Sequence, residues 1–333
     1  MADENTAVIV VEHDLITLDY MADFIHIVYG KPAAYGVISG LKSAKAGINT
    51  YLFGFLKEEN IRFRDYHIKF EGSGSESYAE TQEISVWPKM KKKLGTFDLN
   101  VRAGKIKERQ VIGILGSNGI GKTSFMKLLA GEIKPDDTEV DLKLKIAYKP
   151  QYLQGNSSET VEEMLKKVAK DYGTKSHTAL IITPLELHHL LQKKVNTLSG
   201  GELQRTAIAV ALSQEADLIL MDEPSAYLDI EQRLSLAKTI NKVIDAREIS
   251  ALIIDHDLVF IDSLSHNLLV FEGESAVEGH VSEPLTMKDG MNKLLRELKI
   301  TLRRDEENQR PRINKFDSQM DKKQKSEGNY YYS

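Results

Sequence analysis

The chain has 333 residues, of which 44 are Lys or Arg and 49 are Asp or Glu, and it contains no Cys. This length predicts about two domains, and the lack of Cys excludes disulfides, iron–sulfur clusters, Cys-ligated zinc and a thiol nucleophile. The longest aliphatic run, Ala207–Leu212, is far shorter than the about 20 residues of a membrane span, and the acidic start of the chain is unlike a secretory signal, so a cytoplasmic location is expected. The net charge of −5 argues against binding of nucleic acid without sequence preference.

The first forty residues resemble a later segment of the same chain. Val8–Ser39 aligns without gaps on Ala251–Ser282, 243 positions later, and VIVVEHDL recurs there as ALIIDHDL. Spacing and residue type agree over some forty positions, which favours a duplication over a chance match. We therefore expect the N-terminus to be the end of a domain whose complete copy lies downstream.

Apolar runs and turn signals predict an alternation of strands and helices along the chain. In chain order the predicted elements are the buried strand Val8–Val11, strand Ile25–Tyr29, a flexible linker at Glu71–Ser77, buried strand Val111–Leu115, helices Thr123–Ala130, Thr160–Lys170, Leu185–Lys194 and Gly200–Gln214, buried strands Leu218–Met221 and Ala251–Ile254, and strand Asn267–Phe271. The polar residues from Arg304 onward are typical of a disordered or partly ordered tail. The alternation predicts an α/β fold with a largely parallel central sheet.

The strongest local signal is a P-loop sequence between a predicted strand and a predicted helix. It comprises Gly116, Ser117, Asn118, Gly119, Ile120, Gly121, Lys122 and Thr123, and Ser124 continues into the helix. The glycines let backbone N–H groups point into one concavity, and the helix N-terminus adds a partial positive charge of about +0.5, so the loop attracts phosphate. We expect Lys122 to reach the β- and γ-phosphates and Thr123 to bind Mg²⁺. The alternative, a Gly-rich turn ending in a surface lysine, does not explain the flanking strand and helix.

Two carboxylates directly follow the predicted apolar strand Leu218–Met221. Asp222 at the strand's end would hold the Mg²⁺ shell, and Glu223 would orient and deprotonate the attacking water. The alternative, an acidic cap on a solvated strand edge, loses weight because a P-loop lies about a hundred residues upstream.

A third signal, Leu198-Ser-Gly-Gly-Glu202, precedes an amphipathic helix. Ser199 and Glu202 have the spacing of a capping box, while Gly200 and Gly201 leave the helix N-terminus open to a phosphate. The capping role and the anion-binding role are compatible. This segment is therefore a candidate second phosphate contact.

Two further polar residues gain meaning from their order in the chain. His256 follows a predicted strand and recurs as His13, and we expect it to bond the γ-phosphate and the water. Gln151 lies between the P-loop and the third signal, and it is a candidate contact for Mg²⁺ and water. Alone, each residue would more often be structural.

These motifs in this order resemble the nucleotide-binding domain of ATP-binding-cassette (ABC) proteins. The stretch Asp222-Glu-Pro-Ser-Ala-Tyr-Leu-Asp-Ile-Glu-Gln-Arg233 is similar to one branch, the ABCE-type ribosome-recycling ATPases, also called RNase L inhibitor proteins. Asn60-Ile-Arg-Phe-Arg-Asp65, Ile300–Asp305 and Arg310–Lys315 resemble the hinge segments of that family. The resemblance covers nearly the whole chain and corresponds to the second half of the family's proteins.

The resemblance implies a mechanism and a set of partners. Two ABC domains would face each other head to tail, with ATP between the P-loop of one and Ser199 of the other, and their closure would split ribosomal subunits. The implied ligands are ATP and Mg²⁺, and the implied partners are ribosomal subunits, release or recycling factors, and a second ABC domain in cis or trans, without a membrane. Trp87 lies where the family carries an aromatic residue that stacks on adenine; the alternative is a partly buried core residue. The basic run Lys89–Lys93 is typical of a solvated face, and the alternative is a contact with ribosomal RNA phosphate.

The resemblance also divides the chain. Residues 1–40 would be the C-terminal remnant of a first ABC ATPase domain, 41–77 a hinge and linker, 78–292 a complete ABC ATPase domain, and 293–333 a C-terminal hinge segment with a polar tail. The family's iron–sulfur domain needs many cysteines, so no iron–sulfur cluster is expected in this chain. Two alternatives stay open: the ATPase subunit of a membrane transporter, and a nucleotide-binding module that cannot hydrolyse ATP without its partner domain.

Overall fold

A computed structural model of the chain describes residues 6–31, 34–70, 82–151 and 155–332. They form two compact units, one combining the described residues up to 70 with Ile300–Tyr332 and the other running from 82 to Lys299. The predicted linker at Glu71–Ser77 lies outside the described residues. Within those residues, no helix has the length and apolar character needed to cross a membrane.

The strands and helices are numbered here in chain order. The strands are β1 Phe24–Ile25, β2 Val28–Lys31, β3 Tyr35–Ile38, β4 Lys42–Ser43, β5 Phe55–Leu56, β6 Ile61–Arg62, β7 Glu83–Trp87, β8 Met90–Leu94, β9 Phe97–Val101, β10 Gly104–Lys107, β11 Val111–Leu115, β12 Ile146–Lys149, β13 Leu218–Asp222, β14 Ser250–Ile254, β15 Asn267–Glu274, β16 Glu278–Val281, β17 Leu285–Thr286, β18 Leu302–Arg304 and β19 Pro311–Ile313. The α-helices are α1 Leu15–Met21, α2 Ala44–Phe53, α3 Lys122–Leu129, α4 Val161–Val168, α5 Lys175–His177, α6 Gly200–Ser213, α7 Ile230–Arg247, α8 Leu258–Leu264, α9 Met287–Leu298 and α10 Gln319–Glu327. A π-helical turn spans Thr178–Ile182 and a 3₁₀ turn spans Val195–Thr197.

The second unit is built on a nine-stranded sheet. Its strand order is β12-β13-β14-β11-β15-β16-β9-β8, and β17 also pairs with β15. The run from β12 to β15 is parallel, and every residue of β11, β13 and β14 is buried, as expected for strands covered on both faces. The predicted α/β fold with a largely parallel sheet is confirmed. Because these strands are parallel, the loops that follow β11, β12, β13 and β14 leave from one edge of the sheet.

The internal repeat extends to backbone hydrogen bonding. Helix α1 lies 243 positions before α8, and the pairing of β1 with β4 recurs in the pairing of β15 with β17. In the β2–β3 hairpin Val28 pairs with Ile38, as Phe271 pairs with Val281 between β15 and β16. A Cβ at either Gly30 or Gly273 would lie 2.2 Å from a cross-strand carbonyl oxygen, so each hairpin requires glycine there. The two segments are therefore copies of one structural module.

The predicted buried strand Val8–Val11 is wrong. These residues form no strand, and the exposed fractions of Ile9 and Val11 are 92% and 89%. In the later copy, β14 lies between β11 and β13, which supply hydrogen bonds to both of its edges. Among the described residues of the first unit, no strand plays that part for Val8–Val11. An apolar run is buried only where the fold supplies neighbours for it.

The predicted helix Leu185–Lys194 is also wrong, because the structure has a succession of turns there. Glu186 adopts a left-handed conformation with φ of +54°, which no α-helix interior tolerates. Leu185, Leu187 and Leu190 are nevertheless buried. The apolar spacing that suggested a helix is satisfied by the packing of these turns.

The tail predicted to be disordered or partly ordered from Arg304 onward is folded. Strands β18 and β19 form an antiparallel pair, and α10 follows them. Polar side chains bond one another and the backbone there: the Thr301 hydroxyl donates to the Asp321 carboxylate at 2.7 Å, and the Gln324 side-chain amide donates to the backbone carbonyl of Leu302 at 2.9 Å. Composition misled because polar side chains, which are also typical of disordered segments, here satisfy each other's hydrogen bonds inside the first unit.

Candidate active site

The P-loop lies between β11 and α3, as predicted. Gly116, Gly119 and Gly121 have φ values of +147°, +74° and +91°, a conformation that favours glycine. A Cβ at Gly116 would lie 2.7 Å from the carbonyl oxygen of Phe271. Ser117, Asn118 and Gly119 are exposed, whereas Ile120 is buried in the core and anchors the loop. The loop therefore presents its backbone to solvent at the N-terminus of a helix, where an anion is favoured.

Lys122 begins helix α3 and folds back over the loop. Its ammonium donates to the carbonyl oxygens of Gly116 and Ser117, both at 2.7 Å. Burial lowers its pKa to about 8, and the carboxylates of Glu223 and Asp222 oppose that shift. A largely buried cation whose partners are two neutral carbonyls is poised to gain from an anionic ligand.

Asp222 and Thr123 meet at the end of β13. The Thr123 hydroxyl donates to Asp222 Oδ2 at 2.7 Å, while the buried Oδ1 has no hydrogen-bond partner among the described residues. Burial raises the pKa of this carboxyl. An unpartnered buried carboxylate oxygen beside a hydroxyl oxygen is the hard oxygen donor set that Mg²⁺ prefers. These two residues fit a magnesium ion, and Ser124 follows them, half-buried, on α3.

Glu223 and His256 come together at the same edge of the sheet. The imidazole Nε2 lies 3.2 Å from Glu223 Oε1. Burial and the charge of Lys122 lower the pKa of His256, and the Glu223 carboxylate acts in the opposite direction. Both side chains stay partly open to solvent, so a water molecule can reach the pair.

The backbone of Glu223 is strained and firmly held. Its φ of +47° is left-handed, a conformation that costs of order 1–3 kcal/mol in a residue other than glycine. Its N–H donates to the carbonyl of Ile254 at 2.8 Å. Its carbonyl accepts from the amide of Gln204 at 2.8 Å and from the ammonium of Lys149 at 3.3 Å. Such strain persists only where surrounding contacts impose it, and it occurs most often at functional sites.

Motif reasoning overlooked Lys149 and Gln204, and it also overlooked Asp255. This carboxylate accepts from the N–H and the hydroxyl of Ser225 at 3.0 and 2.7 Å, and burial raises its pKa to about 6. Asp255 directly precedes His256, so its bonds to Ser225 fix the loop after Glu223 next to the backbone that carries His256. The sequence held one indication for Lys149, because this lysine ends a mainly apolar strand two residues before Gln151. A charged side chain at such a position needs a partner when it is buried.

The segment Ser199–Glu202 begins helix α6 with the predicted capping box. Glu202 Oε2 accepts from the Ser199 N–H at 2.8 Å, and the Ser199 hydroxyl accepts from the Glu202 N–H at 3.4 Å. A hydrogen bond from Lys193 and that from the Ser199 backbone lower the pKa of Glu202 to about 2. Ser199 and Gly200 are exposed and Gly201 is half-buried. Within the described residues, no recorded hydrogen bond joins this segment to the P-loop.

The predicted adenine-stacking role of Trp87 is wrong. The ring is 1% exposed, packs edge-on against Phe125, and donates from Nε1 to the carbonyl of Arg102 at 2.9 Å. A ring enclosed in this way has no free face for a base. Phe97 is an aromatic residue beside the P-loop, and its ring would lie 3.0 Å from a Cβ at Gly121.

The fold thus gathers a subset of the predicted residues. Thr123, Asp222, Glu223 and His256 form one cluster with Lys122. Gln151 lies half-buried two residues after β12, at the same edge of the sheet. The arrangement can bind a nucleoside polyphosphate with a divalent ion and offers a carboxylate as a base for water.

Comparison with known proteins agrees with this site. Residues 99–226 match the model of the ABC transporter family. The chain is 50% identical over 331 residues to an uncharacterized ABC transporter ATP-binding protein of Methanocaldococcus jannaschii, covering 99% of this chain and 55% of that protein. It is 38% identical over 157 residues to ABC transporter E family member 3 of Arabidopsis thaliana, covering 45% of this chain and 87% of that protein. The chain spans about half the length of the curated relatives that it matches from end to end.

A solved structure resembles both the sequence and the fold. It is the complex of the archaeal ribosomal stalk protein aP1 with the archaeal ribosome recycling factor aABCE1. The TM-score is 0.89 at 45% identity, and the match covers 97% of this chain and 62% of the other.

Proposed function

This chain belongs to the E family of ABC ATPases, and we propose that its second unit binds ATP with Mg²⁺ and hydrolyses it. The observation that carries the proposal is the cluster in which Asp222 bonds Thr123 and keeps one buried oxygen unpartnered, next to the contact between Glu223 and His256. ATP and Mg²⁺ are the ligands that this cluster suits.

Each residue would contribute a separate part of the chemistry. The P-loop N–H groups and Lys122 would hold the β- and γ-phosphates, and Thr123 and Asp222, with Gln151, would hold Mg²⁺. Bound Mg²⁺ would neutralise charge on the phosphate oxygens. Glu223 would take a proton from the attacking water, and His256 would orient Glu223 and the γ-phosphate through the imidazole nitrogen that already contacts the carboxylate.

The segment Ser199–Glu202 would act on a different nucleotide. We propose that Ser199, Gly200 and Gly201 contact ATP held by the P-loop of a second ABC domain. Their exposure at the start of α6 supports this role, because the helix N-terminus is free to meet an anion from outside the unit.

The test of hydrolysis is the substitution Glu223→Gln in the full chain, with and without an added ABC domain. Turnover should fall by about 10²–10⁴-fold, the contribution of a general base, while ATP stays bound. Unchanged turnover would remove Glu223 from the mechanism. Tight ATP binding without turnover in the wild type, even with the added domain, would support the alternative of a binding module that cannot hydrolyse ATP.

We further propose that the chain serves in ribosome recycling as part of a paired-domain ATPase in the cytoplasm. The similarity to the ribosome recycling factor aABCE1 along nearly the whole chain supports this role. Its partners would be ribosomal subunits and release or recycling factors, with no membrane partner. The exposed Lys89, Lys91 and Lys93 on and before the edge strand β8 are candidate contacts to ribosomal RNA.

The proposed division of the chain follows from the repeat. Residues 1–40 would complete a first ABC ATPase domain, 41–77 would form a hinge, 78–292 would be the whole second domain, and 293–333 a second hinge segment with its tail. The identical strand register of the two copies supports the first assignment. Without cysteine, we propose no iron–sulfur cluster within these 333 residues.

Co-sedimentation separates recycling from transport. We expect the chain to pellet with ribosomal subunits in the presence of Mg²⁺ and a non-hydrolysable ATP analogue, and to stay in the supernatant with membrane vesicles. Binding to vesicles and not to subunits would favour the alternative, the ATPase subunit of a transporter.

A further inference from the structure

Lys149 occupies an unusual place for a charged side chain. It ends β12, only 2% exposed, and its ammonium donates to the carbonyl oxygens of Asp222 and Glu223 at 2.8 and 3.3 Å. β12 pairs with β13 in parallel, with Lys149 opposite Met221, so the side chain reaches past the end of the neighbouring strand. A buried cation is retained only where polar groups compensate it, and these two carbonyls do so.

The two carbonyls belong to the residues on which the proposed hydrolysis depends. Asp222 is the candidate magnesium ligand, and Glu223 the candidate base in a left-handed conformation. Gln204 of α6 binds the second carbonyl from another side and also binds that of Pro224 at 2.9 Å. The Glu223 peptide is therefore held between β12 and helix α6.

We propose that Lys149 is a positioning residue that holds the Glu223 peptide in its left-handed conformation and so aims the carboxylate at the water. The proposal rests on the proposed ATP hydrolysis. Both hydrogen bonds of the Lys149 ammonium go to backbone carbonyls, and among the described residues it makes none to the P-loop, so its hold on Glu223 is through the backbone. Its charge also interacts with the carboxylates of Asp222, Asp255 and Glu223. Gln151, the candidate magnesium contact, follows two residues after Lys149 at the end of the same strand.

The experiment compares the full chain with three variants. Lys149→Met removes the charge and the donor at similar length, Lys149→Arg keeps both, and Lys145→Met is the matched control. Lys145 lies just before the same strand, but it is exposed, and its ammonium pairs with the carboxylate of Glu215 at 3.6 Å. Lys149→Gln, which keeps one donor, replaces the methionine variant if that variant does not fold.

The first readout does not depend on activity. Amide hydrogen exchange reports the Glu223 N–H, which donates to the carbonyl of Ile254. We expect Lys149→Met to speed exchange in the peptide around Glu223 by about tenfold or more, with little change in α3 or α7, and Lys149→Arg to restore much of the protection. Lys145→Met should match the wild type. Wild-type exchange in Lys149→Met, or a rise spread evenly over the unit, would overturn the proposal.

The second readout separates binding from chemistry. Turnover of Lys149→Met should fall by about tenfold or more while the ATP dissociation constant changes by less than about threefold, because only the alignment of the base is lost. A weaker ATP affinity with unchanged turnover would contradict a positioning role. If the wild type binds ATP without turnover, the proposed hydrolysis fails, and the exchange experiment alone decides the role of Lys149.

Discussion

Thr123 and Asp222 lie far apart in the sequence, yet each had a local signal that predicted its place, whereas His256 was assigned from the order of the motifs and its repeat at His13. The signal is local because phosphate and metal binding need glycines, hydroxyls and carboxylates at strand ends, where the backbone turns. Gln204 had no such signal, and the position of Lys149 at a strand end indicated only that its charge needs a partner, not which partner. Both residues act through backbone carbonyls of Asp222 and Glu223, and any donor that packing brings near would serve, so no sequence spacing identifies them.

Trp87 provides a test at this scale, because its burial makes it a core residue. Trp87→Leu should lower the free energy of unfolding by about 3 kcal/mol, since the ring leaves a cavity and the Arg102 carbonyl loses its donor. The ATP dissociation constant should stay the same within about twofold, whereas loss of base stacking would weaken it by about 1–3 kcal/mol. Chemical denaturation and nucleotide titration measure the two quantities.

The matched control for Trp87 is Phe24→Leu. Phe24 is 63% exposed, and its replacement should change the unfolding free energy by less than about 0.5 kcal/mol. A marked loss of ATP affinity in Trp87→Leu, at a temperature where the variant is folded, would return Trp87 to the nucleotide site.

At the scale of elements, the central strands of the second unit and its well-capped helices were predictable, and segments with unusual backbone were not. Strand β11 and helix α6 follow the predicted bounds within a residue. The stretch Leu185–Lys194 has the apolar residues of a helix but turns at Glu186. Apolar periodicity reports which side chains are buried, and turns can bury them as well as a helix can.

The short helix α5 offers a pH prediction. His177 is wholly buried, its Nε2 lies 2.9 Å from the Ser213 hydroxyl of α6, and its Nδ1 has no partner among the described residues. Burial lowers its pKa below the ordinary 6.5. In the unfolded chain His177 takes up a proton near pH 6.5, whereas in the folded chain it does so only at lower pH. The free energy of unfolding should therefore fall as the pH drops from about 7.5 to about 5.5.

Urea unfolding of the second unit across that pH range tests the contribution of His177. The variant His177→Gln, which can still bond Ser213, should show a shallower loss of stability at low pH than the wild type. His280→Gln, at an exposed histidine, should keep the wild-type slope. Equal slopes for the wild type and His177→Gln would remove His177 as the source.

At the scale of the whole molecule, the two ends of the chain fold together in the first unit. Asp19 accepts from Arg312 at 2.7 and 3.0 Å, and the buried Arg310 guanidinium lies 3.4 Å away. Arg310 also donates to the carbonyl of Leu15 at 3.1 Å. These contacts join the first repeat copy to the segment that resembles a hinge, some 290 residues later in the sequence.

Asp19 should therefore be essential to the first unit. Asp19→Ala should destabilise that unit by about 3 kcal/mol, because the buried Arg310 guanidinium loses its ion-pair partner, whereas Arg312 keeps Asp305 at 3.0 Å. Limited proteolysis of the C-terminal segment, together with thermal unfolding, measures the effect. Lys322→Ala, which breaks an exposed pair with Asp317, should change stability by less than about 1 kcal/mol. Equal protease resistance in the two variants would show that the buried pair is dispensable.

The sequence by itself determined the parts of this protein whose physics is local. The P-loop, the carboxylates at the end of β13 and the capping box of α6 depend on neighbouring residue types. The repeat shows in the match of two segments that lie 243 positions apart, and the α/β fold follows from the alternation of predicted strands and helices. Tertiary structure alone decided the exposure of Val8–Val11, the enclosure of Trp87, the union of the two chain ends and the hold of Lys149 on Glu223. Each of these depends on which distant segment lies alongside, because burial and hydrogen-bond satisfaction are properties of the packed neighbours and not of the residue.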